Sequence, residues 1–366
     1  MAETTGSDRW VAVLGGRRER SGGERRRRHI FRRLAERTGA QIVSGWAWDG
    51  IRPALETGGS QLPWLRDRRP RPRLVSGEML DPDVVRRVQR RADPVAVAIY
   101  DDPIPHHAAL GVELAPELAR ALRSKRDANV SAFRWQVMPT LALAELAGLP
   151  LETVIAGENG TDTQQIVPGV WPQEPAIGFT SGAAPGRGIE MLIEAARLLR
   201  GEIPTLRLLL WLLPTAEGGQ RYLAALNGQI RRERWIQMDT VPTGELNFAY
   251  RQATLFCIPH PPNPYWDATL PVKIFDALAA GRPTVITPRT ETRRIVERYG
   301  VGFASAGESA EELADAMRPL LLDEAEARRM GAVAREVAET VYDWTKVGDR
   351  IATAILEREG LRPTPE

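Results

Sequence analysis

Lys273, Asp267 and Asp276 lie close together around a predicted helix start at Thr269-Leu270-Pro271. These residue types at this spacing suit a phosphate site. An apolar run, Thr254 to Ile258, reads as a strand, and a Pro/Asn-rich loop, Pro259 to Pro264, follows it. A helix that begins beyond a strand's end presents unpaired backbone N–H groups and the positive end of its dipole. Thr269 is the expected N-cap, and Pro271 suits a first turn. Lys273 adds a cation, and Asp276, farther along the helix, can reach back toward hydroxyls of a nucleoside sugar. Gly281 is expected to stop the helix, and Pro283 leads into a second strand, Thr284 to Ile286.

Other segments place polar groups where a ligand could meet them. Val95 to Tyr100 reads as a buried strand that runs out into Asp101-Asp102, with His106 and His107 in the loop behind. Polar groups just past a strand's carboxyl end point into the crevice of an α/β sheet. Near the start, Trp10 to Leu14 reads as a strand, and Ser21 with Glu24 forms a capping-box pattern for a helix to about Arg37. Gly22 and Gly23 in that helix start leave the backbone open to a ligand. Arg25 to Arg28 follow at the positive end of the dipole, where an anion would offset their cost.

The elements that must hold these residues alternate. In the second half, strand patterns at Ala176–Thr180, Leu206–Leu213 and Trp235–Met238 are separated by helical patterns at Ile189–Leu199 and Gln220–Arg231. A further helix pattern, 245–252, precedes the Thr254 strand. Repeated β–α units imply a parallel sheet. A glycine-rich turn from Ser181 through Gly182 and Arg187 to Gly188 follows the first of these strands. Helical patterns at Glu291–Glu297, Ser309–Leu322 and Glu324–Glu339 lead to Tyr342-Asp343-Trp344 and a last helix to about Arg358. The domain limits expected are 1–165, a linker at 166–175, a second domain at 176–342, and a final helix and tail at 343–366.

The stretch Pro271, Lys273, Asp276, Ala277, Ala279, Gly281, Pro283 resembles the P-x-K-x-x-E-A-x-A-x-G-x-P helix of the retaining, glycogen-synthase-like branch (family 4, group 1) of GT-B glycosyltransferases. Two departures stand out: Asp276 replaces the usual Glu, and Asp267 stands nine residues before it instead of eight. The resemblance implies an α/β fold of two Rossmann-like domains with a deep cleft between them. The first would bind the acceptor and the second the nucleotide-sugar. It implies that Gly182 and Arg187 sit in the diphosphate loop. Arg187 stands at the family's Lys-Gly position, while the family's earlier Arg is replaced by Ser181-Gly182, so Lys273 is the candidate substitute. Gly22-Gly23 resemble the family's first-domain loop, and Glu158 to Asp162 resembles its P-N-G-x-D segment. His106 is the candidate counterpart of a first-domain histidine near the donor sugar, with His107 the alternative.

The expected reaction is transfer of a sugar from a nucleotide-sugar donor, with retention. Thr269, Leu270, Pro271, Lys273 and Asp276 would bind the donor, and Asp267, His106, Arg187 and Lys273 would take part in catalysis. No cofactor or metal is expected beyond the donor as co-substrate; Asp81-Pro82-Asp83 reads as a turn and helix cap. Two alternatives stay open. One is a catalytically silent sugar- or polymer-binding protein, favoured by the altered acid spacing and the missing arginine. The other is a nucleotide-sugar epimerase using Asp101, Asp102 and His106.

Composition bounds the remaining classes. The chain has 366 residues, 43% hydrophobic and 26% charged, which suits two globular domains. A single cysteine, Cys257, excludes a disulfide framework and fits a reducing cytosol. The first residues lack the apolar core of a secretory signal. Near-neutral net charge, +2, argues against nucleic-acid binding. The basic residues are nearly all arginine, clustered at Arg17–Arg28 and Arg66–Arg73 beside Trp46, Trp48 and Trp64. These clusters suggest a lipid-linked or anionic acceptor and peripheral contact of a cytoplasmic protein with the inner leaflet.

Overall fold

A computed structural model describes residues 10–14, 29–43, 71–99, 103–214, 218–241 and 245–361. The chain divides into two units. The first comprises Met1–Ile104, Leu114–Glu158 and Trp344–Glu366; the second comprises Pro105–Glu113 and Asn159–Asp343.

The first unit holds a parallel six-stranded sheet, built from β1 (Trp10–Val13), β2 (Gln41–Val43), β3 (Arg73–Ser76), β4 (Asp93–Ala98), β5 (Trp135–Met138) and β6 (Val154–Ala156). Their spatial order is β2-β1-β3-β4-β5-β6. The chain's last helix, Trp344–Arg358, belongs to this unit and buries Trp344, Val347, Ile351, Ile355 and Leu356 with Ile30, Phe31 and Leu34. Arg33 bonds Asp349 at 2.9 Å, and Arg134 bridges Asp93 and Glu359. Asp81 precedes the helix Pro82–Arg91 as its N-cap residue, as the Asp-Pro-Asp turn chemistry predicts.

The second unit holds β7 (Ala176–Gly182), β8 (Arg207–Leu213), β9 (Ile236–Asp239), β10 (Leu255–Ile258), β11 (Thr284–Ile286) and β12 (Gly302–Ala304). They pair in parallel in the order β12-β11-β10-β7-β8-β9. β8 reads RLLLWLL because a central parallel strand is covered on both faces. Leu208, Leu210 and Leu212 pack with Ile177, Phe179, Leu255 and Cys257; Leu209 and Trp211 pack on the other face with Phe256 and Ile258. Each such leucine contributes roughly 1.5–3 kcal/mol on burial. The order reverses between β7 and β10. In a doubly wound sheet, ligands bind in the crevice beyond the carboxyl ends of the strands at this switch point.

Ser21 and Glu24, with Gly22 and Gly23, lie outside the described residues, as do Asp101 and Asp102. Two expectations change. His106 and His107 are not in a loop; they sit in the helix Pro103–Ala109. Thr269 is not an N-cap. It closes an additional short helix, Pro264–Ala268, whose start is fixed by the Asn263 side chain accepting from the Tyr265 N–H at 2.9 Å and by Pro264 in its first turn. Asn-Pro is a loop signal but equally a cap followed by a helix-compatible proline, and here the cap prevails. The following helix therefore starts later, at Val272, with Pro271 as its N-cap residue.

Candidate functional site

The carboxyl ends of β7 and β10 bring three segments together. The loop after β7 reaches its helix through Gly186 and Gly188, at φ 71° and 74°. Gly188 abuts β10's exit so closely that a Cβ would overlap the Pro259 carbonyl. Glycine is therefore required there by both dihedral and space. Arg187 stands between these glycines. Its guanidinium lies 5.1 Å from the centre of the Trp266 ring, and its Nη2 lies 3.4 Å from His106 Nε2. His106 stacks on Tyr265 at 5.1 Å. Trp266 donates its indole N–H to the Gly186 carbonyl at 3.1 Å, which ties the short helix to the loop.

Lys273 rises from the first turn of the helix Val272–Ala279. Its Nζ lies 3.4 Å from Ser181 Oγ and 4.7 Å from the centre of the Phe179 ring. No carboxylate pairs with it among the described residues. Burial, and next the Arg187 charge, hold its ammonium well below the usual lysine range. A cation placed in this way is stabilised by an arriving anion. Burial also pushes the neighbouring Cys257 thiol up, which keeps it protonated and inert.

The carboxylates have definite partners. Asp267 lies 3.3 Å from Arg289, a buried guanidinium that also pairs with Glu308. Asp276 is 1% exposed and accepts a hydrogen bond from the Thr161 hydroxyl at 2.8 Å. One of its oxygens thus ties the helix to the Asn159–Asp162 segment, whose Asn159 amide bonds the Leu270 carbonyl. That segment, which resembles the P-N-G-x-D sequence, thus has a physical role: it fixes the helix that bears Lys273.

The structure therefore gathers His106, Gly182, Arg187, Asp267 and Lys273 within the second unit, where Thr269 and Leu270 are buried. Pro271 carries no N–H, so the first helix amides belong to Val272 and Lys273 rather than to Leu270 and Pro271. Gly22 and Gly23 fall outside the described residues. Trp266, Arg289 and His260 are additions that the sequence reading missed. The Tyr-Trp pair at 265–266 beside an acid is the available signal for the first; nothing local marks Arg289. Among the described residues no group of three or more His, Cys, Asp or Glu could hold a metal ion.

Residues 174–323 match the family model of group 1 glycosyl transferases. No curated protein sequence matches the chain. Among solved structures, Alr3699/HepE of Anabaena, determined in complex with UDP, is similar with a TM-score of 0.68 at 15% identity, over 95% of this chain and 100% of that one. A glycosyltransferase of Rickettsia africae is similar with a TM-score of 0.59 at 13% identity, over 95% and 99%. Sucrose-phosphate synthase of Thermosynechococcus elongatus is similar with a TM-score of 0.56 at 15% identity, over 79% and 73%. The fold is thus the α/β GT-B type, with two Rossmann-like units, and the match to group 1 glycosyl transferases lies within the second unit.

Proposed function

We propose that this protein transfers a sugar from a nucleotide-sugar donor, held by the second unit, to an acceptor. The observation that carries this reading is Lys273, a cation at the sheet's switch point with no carboxylate partner among the described residues. The solved neighbour HepE was determined with UDP, with UDP and glucose, and with UDP-glucose, which supports the donor class.

In this reaction the bond between the anomeric carbon and the donor's β-phosphate oxygen breaks as a bond from that carbon to the acceptor's hydroxyl oxygen forms; negative charge develops on the leaving diphosphate, which can take up the hydroxyl's proton. Arg187, Lys273 and the first amides of the helix Val272–Ala279 stabilise that charge, and on this proposal they do so without a metal. Asp267, oriented by Arg289, binds hydroxyls of the donor sugar. His106 lies beside Arg187 at the same site. Asp276, which accepts from Thr161, steadies the helix that bears Lys273 and is assigned to the ribose through the group 1 resemblance. Retention at the anomeric carbon belongs to the proposal through the group 1 resemblance.

Incubation with a panel of nucleotide sugars, with and without candidate acceptors, tests the reading through release of nucleoside diphosphate. Acceptor-stimulated release is expected. Conversion of the donor alone into an epimer, or tight binding without release from any donor, would replace it. We further propose an anionic or lipid-linked acceptor and peripheral membrane contact, on the arginines at 17–28 and 66–73, most of which lie outside the described residues. No described helix is long and apolar enough to cross a membrane. Sedimentation with anionic but not neutral liposomes is the expected outcome, and equal recovery in both supernatants would refute the contact.

A further inference from the structure

His260 stands two residues past β10, and its imidazole is 1% exposed. Neither ring nitrogen has a hydrogen-bond partner among the described residues. Its main chain is fixed, because the Thr287 hydroxyl donates to its carbonyl at 2.6 Å. Its ring is fixed too, stacked on Trp266 with 3.9 Å between centres and 19° between planes. A phenylalanine would serve that stack equally well, without two buried polar atoms whose desolvation goes uncompensated. Burial, and then Lys273, Arg187, Arg289 and His106, drive its proton off well below the usual histidine range. It is therefore a neutral imidazole, with one N–H to donate, near the side chains of Lys273, Arg187 and Arg289.

We propose that His260 is a donor-binding residue whose ring N–H bonds an oxygen of the nucleotide-sugar's diphosphate. The inference rests on the donor reading above. Orphaned buried polar atoms are rare in folded proteins, and a ligand is one of the few things that satisfies them. An anion drawn to Arg187 and Lys273 brings acceptor oxygens to this position. A neutral donor adds a hydrogen bond without a further positive charge that would repel the neighbouring cations. Both nitrogens are closed to solvent, so the contact requires the five-residue helix Pro264–Ala268, which carries Trp266, to yield to the ligand.

His260→Phe keeps the ring and its stack while removing both nitrogens. The variant is expected to melt at a higher temperature than the wild type, because two orphaned atoms are gone. Its affinity for UDP and for inorganic pyrophosphate, measured by calorimetry, is expected to fall tenfold or more, with His260→Gln recovering part of the loss. A merely structural histidine would leave both affinities unchanged, and that result would overturn the proposal. A loss seen with UDP-glucose but not with UDP or pyrophosphate would likewise overturn the diphosphate assignment. A measurement on the unaltered protein guards against misfolding of the variants. With histidine ring nitrogens labelled, saturating UDP should shift the His260 signals, and unmoved signals refute the contact. A wild type that binds no nucleoside diphosphate would sink the donor reading itself; a wild type that binds beside an equally tight Phe variant sinks only this inference.

Discussion

Lys273 shows most directly how a single residue divides stability from function. Its ammonium is held low by burial and by Arg187, whereas in the unfolded chain it titrates near the ordinary value of about 10.4. Between these two values the unfolded chain binds more protons, so stability rises with pH across that window. Below the folded value the penalty is present in full. Lys273→Met should therefore raise the melting temperature at neutral pH while weakening diphosphate binding. Anion binding raises the Lys273 pKa, so above its folded value binding takes up a proton. Calorimetry in buffers of different ionisation enthalpy should detect that uptake in the wild type and lose it in Lys273→Met. Equal proton uptake in both proteins would remove Lys273 from the site. Lys273 and Arg187 were legible in the sequence because a helix motif and a glycine-rich turn fix their positions locally. His260, Trp266 and Arg289 were not, because their contacts exist only once three separate segments have met.

At the scale of elements, the short helix Pro264–Ala268 decides where Trp266 and Asp267 stand. Asn263 caps it at 2.9 Å, and losing such a cap typically costs about 0.5–2 kcal/mol. Asn263→Ala should lower stability by that amount, read from chemical denaturation, and reduce turnover further by loosening Asp267. Turnover that tracks stability alone would argue against a role for this helix in the reaction. Gly188→Ala is a sharper test of the β7–β10 junction. The left-handed backbone costs roughly 1–2 kcal/mol for a non-glycine residue, and the added Cβ collides with the Pro259 carbonyl. Strong destabilisation is expected in thermal melts; a near-neutral Gly188→Ala would mean that the loop and β10 do not approach as described. Strand positions and the Gly281 stop were legible from apolar periodicity and from glycine, and Gly281 indeed has φ 66°. The extra helix was not, because Asn-Pro signals a turn and a cap alike. The helix at Pro103–Ala109 was missed for a similar reason, since two prolines around Ile104 read as loop.

At the scale of the whole molecule, the doubly wound pattern of the second unit was fully legible, because a buried parallel strand such as Leu208–Leu212 leaves an unbroken apolar run. The assignment of Pro105–Glu113 to the second unit was not, since it breaks sequence continuity. That segment brings His106 beside Arg187. Catalysis by fixed cations and helix amides predicts that turnover survives EDTA. Loss of activity restored by magnesium or manganese would show that the protein's own charges do not suffice. The central claim is that Arg187 and Lys273 hold the donor's diphosphate. Titration calorimetry of UDP and other nucleoside diphosphates against the wild type, Arg187→Ala and Lys273→Ala tests it most directly. Charge-assisted bonds of about 1.5–3 kcal/mol each predict roughly 10- to 100-fold weaker binding in either variant. Wild-type affinity in both would contradict the account.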